Sequence, residues 1–306
     1  MRSVIDTAVA RAQERALRSR VQLFFDLFKL RIGLVIGFTA VAGAAVTPGP
    51  DLGASGFLLL AFAVTAAAAA AGAFNQFVER DLDARMGRTR HRAFVTGRLD
   101  AKPRWLAAIL AIGFFGVALA GVAFGPASAS YTFLGAFTYG VVYTVWLKRR
   151  TWWNIVIGGL AGSFAVLAGA AAVAPGGAAE SLPLAFALIL FFWTPPHFWS
   201  LAIAYRADYE AARVPMLPVV VGDARAAHVV HAAAAALVAA SLAPELFGMG
   251  WLYLAAAIGG GGYLLWTSAR LAQAPSRRRA IVNFHATLIQ LSLLLAAAIA
   301  DSAFHG

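Results

Sequence analysis

The chain has 306 residues, of which 61% are hydrophobic and 13% charged, and its mean hydropathy is +0.74. Soluble domains carry about 25% charged residues, so this composition excludes a soluble globular protein and indicates an integral membrane protein. Cysteine is absent from the sequence, which excludes disulfides, thiolate metal sites and a cysteine nucleophile. The net charge is +11. In a membrane protein such charge sets topology, and we expect anionic lipids or substrates as partners and no nucleic acid.

The N-terminal segment is basic but contains acids. Residues 1–20 carry five arginines together with Asp6 and Glu14, and no apolar core follows before Val21. This is not the pattern of a cleavable signal peptide, and the acids argue against an organelle transit peptide. We therefore expect residues 1–20 to form a cytoplasmic tail and residues 21–306 to form a single membrane domain.

Nine stretches of the chain are apolar and close to the length of about 20 residues that a spanning helix needs. In chain order they are residues 27–46, 57–77, 106–124, 131–146, 153–173, 182–202, 227–247, 251–266 and 281–300. The prediction is an all-α integral membrane bundle of about nine transmembrane helices.

The basic residues sort onto one side of this arrangement. All 25 Lys and Arg lie in the N-terminal tail, at the start of the first stretch, or in the connectors that follow the even-numbered stretches. The connectors on the opposite side hold Asp51, Glu180 and Glu245 but no Lys or Arg. By the positive-inside rule, the N-terminus is cytoplasmic and Gly306 lies outside. An odd number of spans is required by this segregation.

A first charged cluster lies at the cytoplasmic end of the second stretch. Asn75, Glu79 and Asp83 recur every four residues and therefore share one face of a helix. Ionisable groups at a spanning helix are costly and mark functional sites by default. Oxygen ligands of this kind suit Mg²⁺, which typically takes one or two carboxylates together with substrate phosphates.

Arginines follow these oxygen ligands at positions 88, 90 and 92. Guanidinium groups bind phosphate oxygens, so the whole segment is typical of a metal–diphosphate site. A solvated, salt-bridged helix end, in which Glu79 and Asp83 pair with Arg80 and Arg85, explains the same spacing equally well.

A second charged cluster follows the sixth stretch on the same side. Asp208 and Glu210 are two residues apart, so on a regular helix only one of them faces a shared site, and we favour Asp208. The alternative is a loop acid that balances Arg206 and Arg213. Together the two clusters predict a cytoplasmic-side site with acids for metal and bases for phosphate.

His197 stands alone in the sixth stretch. At about 1.5 Å per residue it lies roughly 8 Å below the cytoplasmic end of that stretch, inside the hydrocarbon region. A neutral imidazole is a common iron ligand and is cheaper to bury than a charge. Pro195 and Pro196 are expected to disturb the helix just before it. A hydrogen-bonded packing histidine is the alternative reading of a lone His in this position.

Six segments of the chain match one known family. Residues 193–199 read Trp-Thr-Pro-Pro-His-Phe-Trp; the other matching segments are residues 28–32, 75–92, 143–149, 154–159 and 208–219. Through them the chain resembles the UbiA-superfamily prenyltransferases over nearly its whole length. Residues 193–199 are particular to the branch of that superfamily that farnesylates heme.

The resemblance implies farnesyl transfer from farnesyl diphosphate to a vinyl group of heme b, with water added and diphosphate released. Heme b and farnesyl diphosphate would be the substrates, Mg²⁺ the cofactor and His197 a heme-binding residue. The residues that it assigns to catalysis and metal binding are Asn75, Glu79, Asp83 and Asp208. Those that it assigns to diphosphate binding are Arg88, Arg92, Lys148 and Arg149.

Three positions depart from the family pattern. Glu79 replaces a usual Asp, which preserves metal binding with a longer reach. Ala93 stands where Pro is usual, and residues 163–167 replace a Pro-containing run. These last two changes affect the expected loop and helix geometry and leave the chemistry in place.

Location and partners also follow from the resemblance. It favours the bacterial cytoplasmic (inner) membrane over the mitochondrial inner membrane, and a downstream heme-modifying or oxidase-assembly protein as a partner. Other functions compatible with the sequence are a UbiA-type prenyltransferase acting on a quinone precursor or other aromatic acceptor, an anionic-solute transporter, and a non-catalytic heme chaperone.

Overall fold

A computed structural model of the protein describes residues 21–305, so the predicted tail, residues 1–20, lies outside the described residues. Helices are the only regular secondary structure in residues 21–305, which contain no β-strand, as predicted. The helices are α1 (Val21–Leu27), α2 (Leu30–Ala45), α3 (Gly53–Val78), α4 (Arg80–Asp83), α5 (Pro103–Phe124), α6 (Pro126–Phe137), α7 (Asn154–Gly158), α8 (Leu160–Val173), α9 (Ser181–Ala204), α10 (Arg206–Ala211), α11 (Leu217–Val221), α12 (Asp223–Ser241), α13 (Trp251–Gln273) and α14 (Arg277–His305). A π-helix, Thr138–Leu147, continues α6, and two 3₁₀ turns span Gly177–Ala179 and Ala243–Phe247.

Glycines with positive φ shape two of the interhelical connections. Between α5 and α6 the chain turns at Gly125, whose φ of 93° is open to glycine without strain, and Pro126 then begins α6. The connection from α12 to α13 passes through Gly248, with φ 94°. The α5–α6 connection is therefore a single residue, whereas residues 242–250 join α12 to α13.

The predicted number of membrane spans is not confirmed. Within residues 21–305, six helices could each cross a membrane by length and apolar composition, and α1 with α2, bent by 57°, would make a seventh. The predicted count was about nine. The shortfall has two physical origins. The α6 helix changes to π-helix at Thr138, so neither part is long enough alone, and α13 carries glycines at 259–262 as well as Arg270.

The long helices pack in a closed order. Successive neighbours are α2, α3, α5, α6, α8, α9, α12, α13 and α14, and α14 packs back against both α2 and α9. Small residues permit the closest approach, between α2 and α8. A Cβ atom at Gly43 would collide with the backbone at Val166, and one at Gly169 with the backbone at Ala40. Close packing through small residues is the expected way for helices to associate in lipid.

The charged connectors meet at one end of this bundle, which we call the basic end. The Arg88 guanidinium lies 5.6 Å from the centre of the Tyr205 ring, and the Arg277 guanidinium lies 5.3 Å from the same ring. Three connectors therefore converge there, namely α3–α5, α9–α12 and α13–α14. This agrees with the predicted sorting of basic residues onto one side.

Helix α9 differs from the expectation at its two prolines. It runs without interruption from Ser181 to Ala204, through Pro195 and Pro196. The Thr194 hydroxyl donates to the Leu190 carbonyl and the Ser200 hydroxyl donates to the Pro196 carbonyl, on either side of the two prolines. His197 therefore projects from a continuous helix.

Candidate functional site

The acids of the first cluster are buried, not solvated. Asn75, Glu79 and Asp83 are each 2% exposed or less. A break in the helix falls at Glu79, yet its carbonyl still accepts from the Asp83 backbone N–H at 2.8 Å, so the four-residue spacing survives the break. The solvated helix end considered from the sequence, with Arg80 and Arg85 as partners, does not describe these residues.

The π-helix supplies the facing wall of the site. Asn75 donates from Nδ2 to the Thr144 hydroxyl at 3.0 Å, and Thr144 in turn donates to the carbonyl of Tyr139. The backbone N–H of Lys148 donates to the carbonyl of Tyr143, five residues earlier. π-Helical turns of this kind occur frequently at functional sites.

Two ion pairs join this wall and the following loop to the acids. Lys148 Nζ donates to Glu79 Oε2 at 2.5 Å, and the Arg92 guanidinium donates from one nitrogen to both Asp83 oxygens, at 2.7 and 2.8 Å. Lys148 and Arg92, which were predicted to bind diphosphate, are thus paired with the two acids predicted to bind metal.

Asp208 joins the same region from α10. Its carboxylate accepts the backbone N–H groups of Gly87 and Arg88, at 3.2 and 3.1 Å. Glu210 instead pairs with Arg206 at 2.7 Å on the surface. The geometry therefore separates the two acids as expected, because Asp208 faces the 75–92 segment and Glu210 balances a loop arginine.

Arg88 and Arg149 lie at the rim. Arg88 is exposed and covers the ring of Tyr205. Arg149 makes a two-nitrogen contact with Asp81, at 2.8 Å for each bond, and its hydrogen bonds hold the pKa of the Asp81 carboxyl below its usual value. Arg149 would have to leave Asp81 to bind an anion.

Lys29 is a site residue that the sequence argument did not assign. It lies at the bend between α1 and α2 in a left-handed conformation, with φ 47°. Its Nζ donates to Asn75 Oδ1 at 2.8 Å and to the Tyr139 hydroxyl at 3.1 Å, and it lies in electrostatic range of Glu79 and Asp83. The available signal was a lysine inside an apolar stretch, which is a functional marker in membrane proteins.

Two tyrosines of the π-helix were also not assigned from the sequence. The rings of Tyr139 and Tyr143 stack with centroids 5.6 Å apart, and Lys148 Nζ lies 5.5 Å from the centre of the Tyr143 ring. Tyr143 is in electrostatic range of Glu79, Arg88 and Arg92. An aromatic surface therefore borders the acids and bases.

The residues fit Mg²⁺ together with diphosphate more closely than Mg²⁺ alone. Among residues 21–305, no three His, Asp or Glu side chains form a ready-made metal group. Glu79 Oε1, however, is buried without a hydrogen-bond partner among the described residues, which leaves a carboxylate oxygen for a cation. Mg²⁺ completes its shell with phosphate oxygens and water, so one or two such oxygens are sufficient.

His197 is buried on the α14 side of α9. Its ring is stacked between Trp193, at 4.1 Å between centroids, and Phe284, at 4.3 Å. Its Nδ1 atom lies 2.7 Å from the Thr287 hydroxyl oxygen. The hydrogen bond matches the packing alternative, while the second ring nitrogen, Nε2, is not used by it.

Comparison with known proteins defines the class. Residues 36–294 match the UbiA prenyltransferase family, and the chain belongs to that family of membrane prenyltransferases. It is 52% identical to protoheme IX farnesyltransferase 2 of Paramagnetospirillum magneticum, over 95% of this chain and 100% of that protein. The resemblance drawn from the sequence is confirmed.

Solved structures agree on the fold. The apo structure of a UbiA homologue from Aeropyrum pernix K1 has a TM-score of 0.72 at 20% identity and covers 87% of this chain and 98% of its own. A UbiA homologue from Archaeoglobus fulgidus bound to DMAPP and Mg²⁺ has a TM-score of 0.66 at 14% identity, covering 89% and 98%. At these identities the likeness establishes the helical bundle and not the residue roles.

Proposed function

We propose that the protein farnesylates heme b, taking the farnesyl group from farnesyl diphosphate and giving heme O and diphosphate. The observation that carries this proposal is the convergence of buried acids and bases at the basic end, with Glu79 on Lys148 and Asp83 on Arg92. Such a set suits a charged diphosphate at the membrane surface. The relative named a protoheme IX farnesyltransferase supports heme as the acceptor.

Binding of diphosphate would require the ion pairs of the site to change partners. As diphosphate arrives, Lys148 and Arg92 turn from carboxylate to phosphate oxygens, and Arg88 and Arg149 add contacts at the rim. Bases placed where charge develops on a leaving group usually supply the largest part of catalysis. Asn75, Glu79, Asp83 and Asp208 are the residues that would hold Mg²⁺. The ion, when bound, would neutralise phosphate charge, and an Mg²⁺-bound relative of this fold supports its presence.

Transfer then breaks the bond between the allylic carbon and the diphosphate oxygen, and both electrons leave with diphosphate. The vinyl group of heme b donates its π electrons to the allylic carbon, forming the new carbon–carbon bond. Water adds to the resulting cation and releases a proton. Tyr139 and Tyr143 border this region with stacked rings, which stabilise a carbocation-like group by cation–π attraction and exclude water from it.

His197 would bind the heme iron. The imidazole plane is fixed between Trp193 and Phe284, and an iron ligated by imidazole lies in that plane, so stacking on both faces does not block ligation. In this arrangement the diphosphate chemistry stays with α3, α4, α10 and the π-helix, and α9 with α14 holds the acceptor.

The direct test incubates purified protein with heme b, farnesyl diphosphate and Mg²⁺, followed by mass analysis of the heme. The expected product is heme that has gained one farnesyl group and one hydroxyl group, in a metal-dependent reaction. Parallel reactions offer an aromatic acid of the quinone-precursor type in place of heme b. Prenylation of that acid, with heme unchanged, would show that the acceptor is not heme.

The proposed location is the bacterial cytoplasmic membrane, with the basic end facing the cytoplasm, where a downstream heme-modifying or oxidase-assembly protein would take up the product. Reporter fusions test the orientation. Fusions after Leu147 and Arg278 should report cytoplasm, and fusions after Val173 and Ala300 should report the other side. A single reversed reporter would contradict the nine-span arrangement.

A further inference from the structure

Two residues of α9 converge on one residue of α14. Trp193 donates from its indole nitrogen to the carbonyl of Thr287 at 2.8 Å, and His197 Nδ1 lies 2.7 Å from the hydroxyl oxygen of the same threonine. Thr287 is fully buried. The threonine therefore serves both the helix contact and the histidine ring.

The direction of the histidine bond follows from the second contact of the hydroxyl. A threonine hydroxyl has one hydrogen to donate and lone pairs with which to accept. Thr287 Oγ1 also lies 2.7 Å from the carbonyl oxygen of Phe284, which can only accept. The hydroxyl hydrogen is committed to that carbonyl, so His197 must donate from Nδ1 to the threonine oxygen.

This direction fixes the state of the other ring nitrogen. A neutral imidazole carries one N–H, so a proton on Nδ1 leaves Nε2 with its lone pair. Trp193 and Phe284 cover the two faces of the ring, and the Nε2 lone pair lies in the plane between them. The packing therefore fixes the orientation of the ring, and Nε2 is its one atom with a lone pair free to bind a metal.

We propose that Thr287 is a positioning residue that holds His197 in its Nδ1–H tautomer and so presents Nε2 to the iron of heme. The inference rests on the proposed function, in which His197 ligates that iron. Histidine ligands commonly donate their other N–H to a fixed acceptor, which sets the tautomer and raises the basicity of the ligating nitrogen. Here the hydroxyl oxygen of Thr287 is the fixed acceptor.

Three substitutions isolate the hydroxyl. Thr287→Val removes the acceptor with almost no change in shape, and Thr287→Ser keeps it. Thr39→Val is the matched control, because Thr39 is also fully buried and its hydroxyl donates to a backbone carbonyl of its own helix, that of Val35. Each full-length variant is reconstituted in lipid nanodiscs and titrated with heme b.

Two readouts follow the titration: heme affinity and, in the ferrous state, the iron–histidine stretching frequency by resonance Raman spectroscopy. Thr287→Val should bind heme about tenfold more weakly, in line with the usual effect of losing such a supporting acceptor. Its stretching frequency should fall, because Nε2 becomes less basic. Thr287→Ser and Thr39→Val should match the wild type in both readouts.

The outcomes separate the inference from the proposed function. If Thr287→Val matches the wild type in affinity and frequency while His197→Ala loses the iron–histidine band, the role of Thr287 is wrong and iron ligation stands. If the wild type itself binds heme without that band, ligation by His197 is wrong.

The tautomer can also be read without relying on a folded Thr287 variant. Histidine-selective ¹⁵N labelling of the wild-type protein distinguishes protonated from unprotonated ring nitrogens by chemical shift. The His197 signal is assigned by its loss in His197→Asn. A protonated Nδ1 supports the inference, and a protonated Nε2 with a bare Nδ1 overturns it.

Discussion

The basic end and the His197 pocket place polar groups inside an apolar protein in opposite ways. At the basic end full charges are buried as pairs, Glu79 with Lys148 and Asp83 with Arg92. Around His197 the contacts are neutral, with three aromatic rings, those of Trp193, Phe198 and Phe284, and one hydroxyl. Paired charges can change partners when a charged ligand arrives, whereas a neutral hydrogen bond between packed rings holds one geometry. The first arrangement suits diphosphate and metal, and the second suits a single ligating atom.

The largest effect should come from Asp83→Asn. Loss of a proposed metal oxygen should lower transfer by roughly 100-fold or more, while the protein stays folded, because the amide keeps the shape of the side chain and Arg92, left without its partner charge, is partly exposed to solvent. Product formation is measured by mass analysis of the heme. Asp81→Asn is the matched control, since Asp81 is an exposed neighbour paired with Arg149, and it should keep nearly full activity. Wild-type turnover of Asp83→Asn at unchanged metal dependence would contradict the assignment.

A second test asks whether the buried pair behaves as a unit. Lys148→Met leaves Glu79 buried without its partner and should destabilise the fold by about 3–5 kcal/mol. The double variant Glu79→Gln/Lys148→Met should recover most of that loss yet remain inactive. Denaturation of the wild type, the two single variants and the double variant in detergent gives the coupling energy between Glu79 and Lys148. Additive single effects would show that Glu79 and Lys148 do not act together.

The substitution His197→Ala tests the role of the neutral contacts around this histidine. The variant should bind heme tenfold or more weakly, about 1.4 kcal/mol, with a changed heme absorption spectrum. Mg²⁺-dependent binding of farnesyl diphosphate should persist, because the basic end is intact. Loss of diphosphate binding with unaltered heme affinity and spectrum would show that the division between the two regions is wrong.

The smallest contrast compares the two acids of α10. Asp208→Asn weakens an acceptor for the Gly87 and Arg88 backbone N–H groups and removes a proposed metal oxygen, so transfer should fall by about tenfold or more. Glu210→Gln removes a surface pair, and its effect on stability should stay below about 1 kcal/mol with activity retained. Equal loss of activity in both variants would contradict the preference for Asp208.

The local sequence pattern was sufficient to predict the helices and several of the candidate site residues. Each of the nine predicted stretches falls on a helix, because apolar length is a property of neighbouring residues. The four-residue spacing of Asn75, Glu79 and Asp83 survived a break in the helix, because one backbone hydrogen bond carries the turn across it. Residues two apart diverge on a helix, so the spacing predicted that only one of Asp208 and Glu210 faces the site, but not which one.

Other features could not be read from local pattern. Lys29 reaches Asn75 only because the chain bends by 57° between α1 and α2. The prolines before His197 were expected to disturb α9, yet the helix continues through both of them from Ser181 to Ala204.

The sequence by itself determined that this is a helical membrane protein with its basic charge at one end, since composition and spacing act over one span at a time. It also singled out the acids and the histidine, whose burial in an apolar chain is costly wherever they lie. Only the tertiary structure decided that Glu79 takes Lys148, 69 residues away, and that His197 takes Thr287, 90 residues away. Hydrogen bonds are directional and act over about 3 Å, so packing alone decides which distant groups meet.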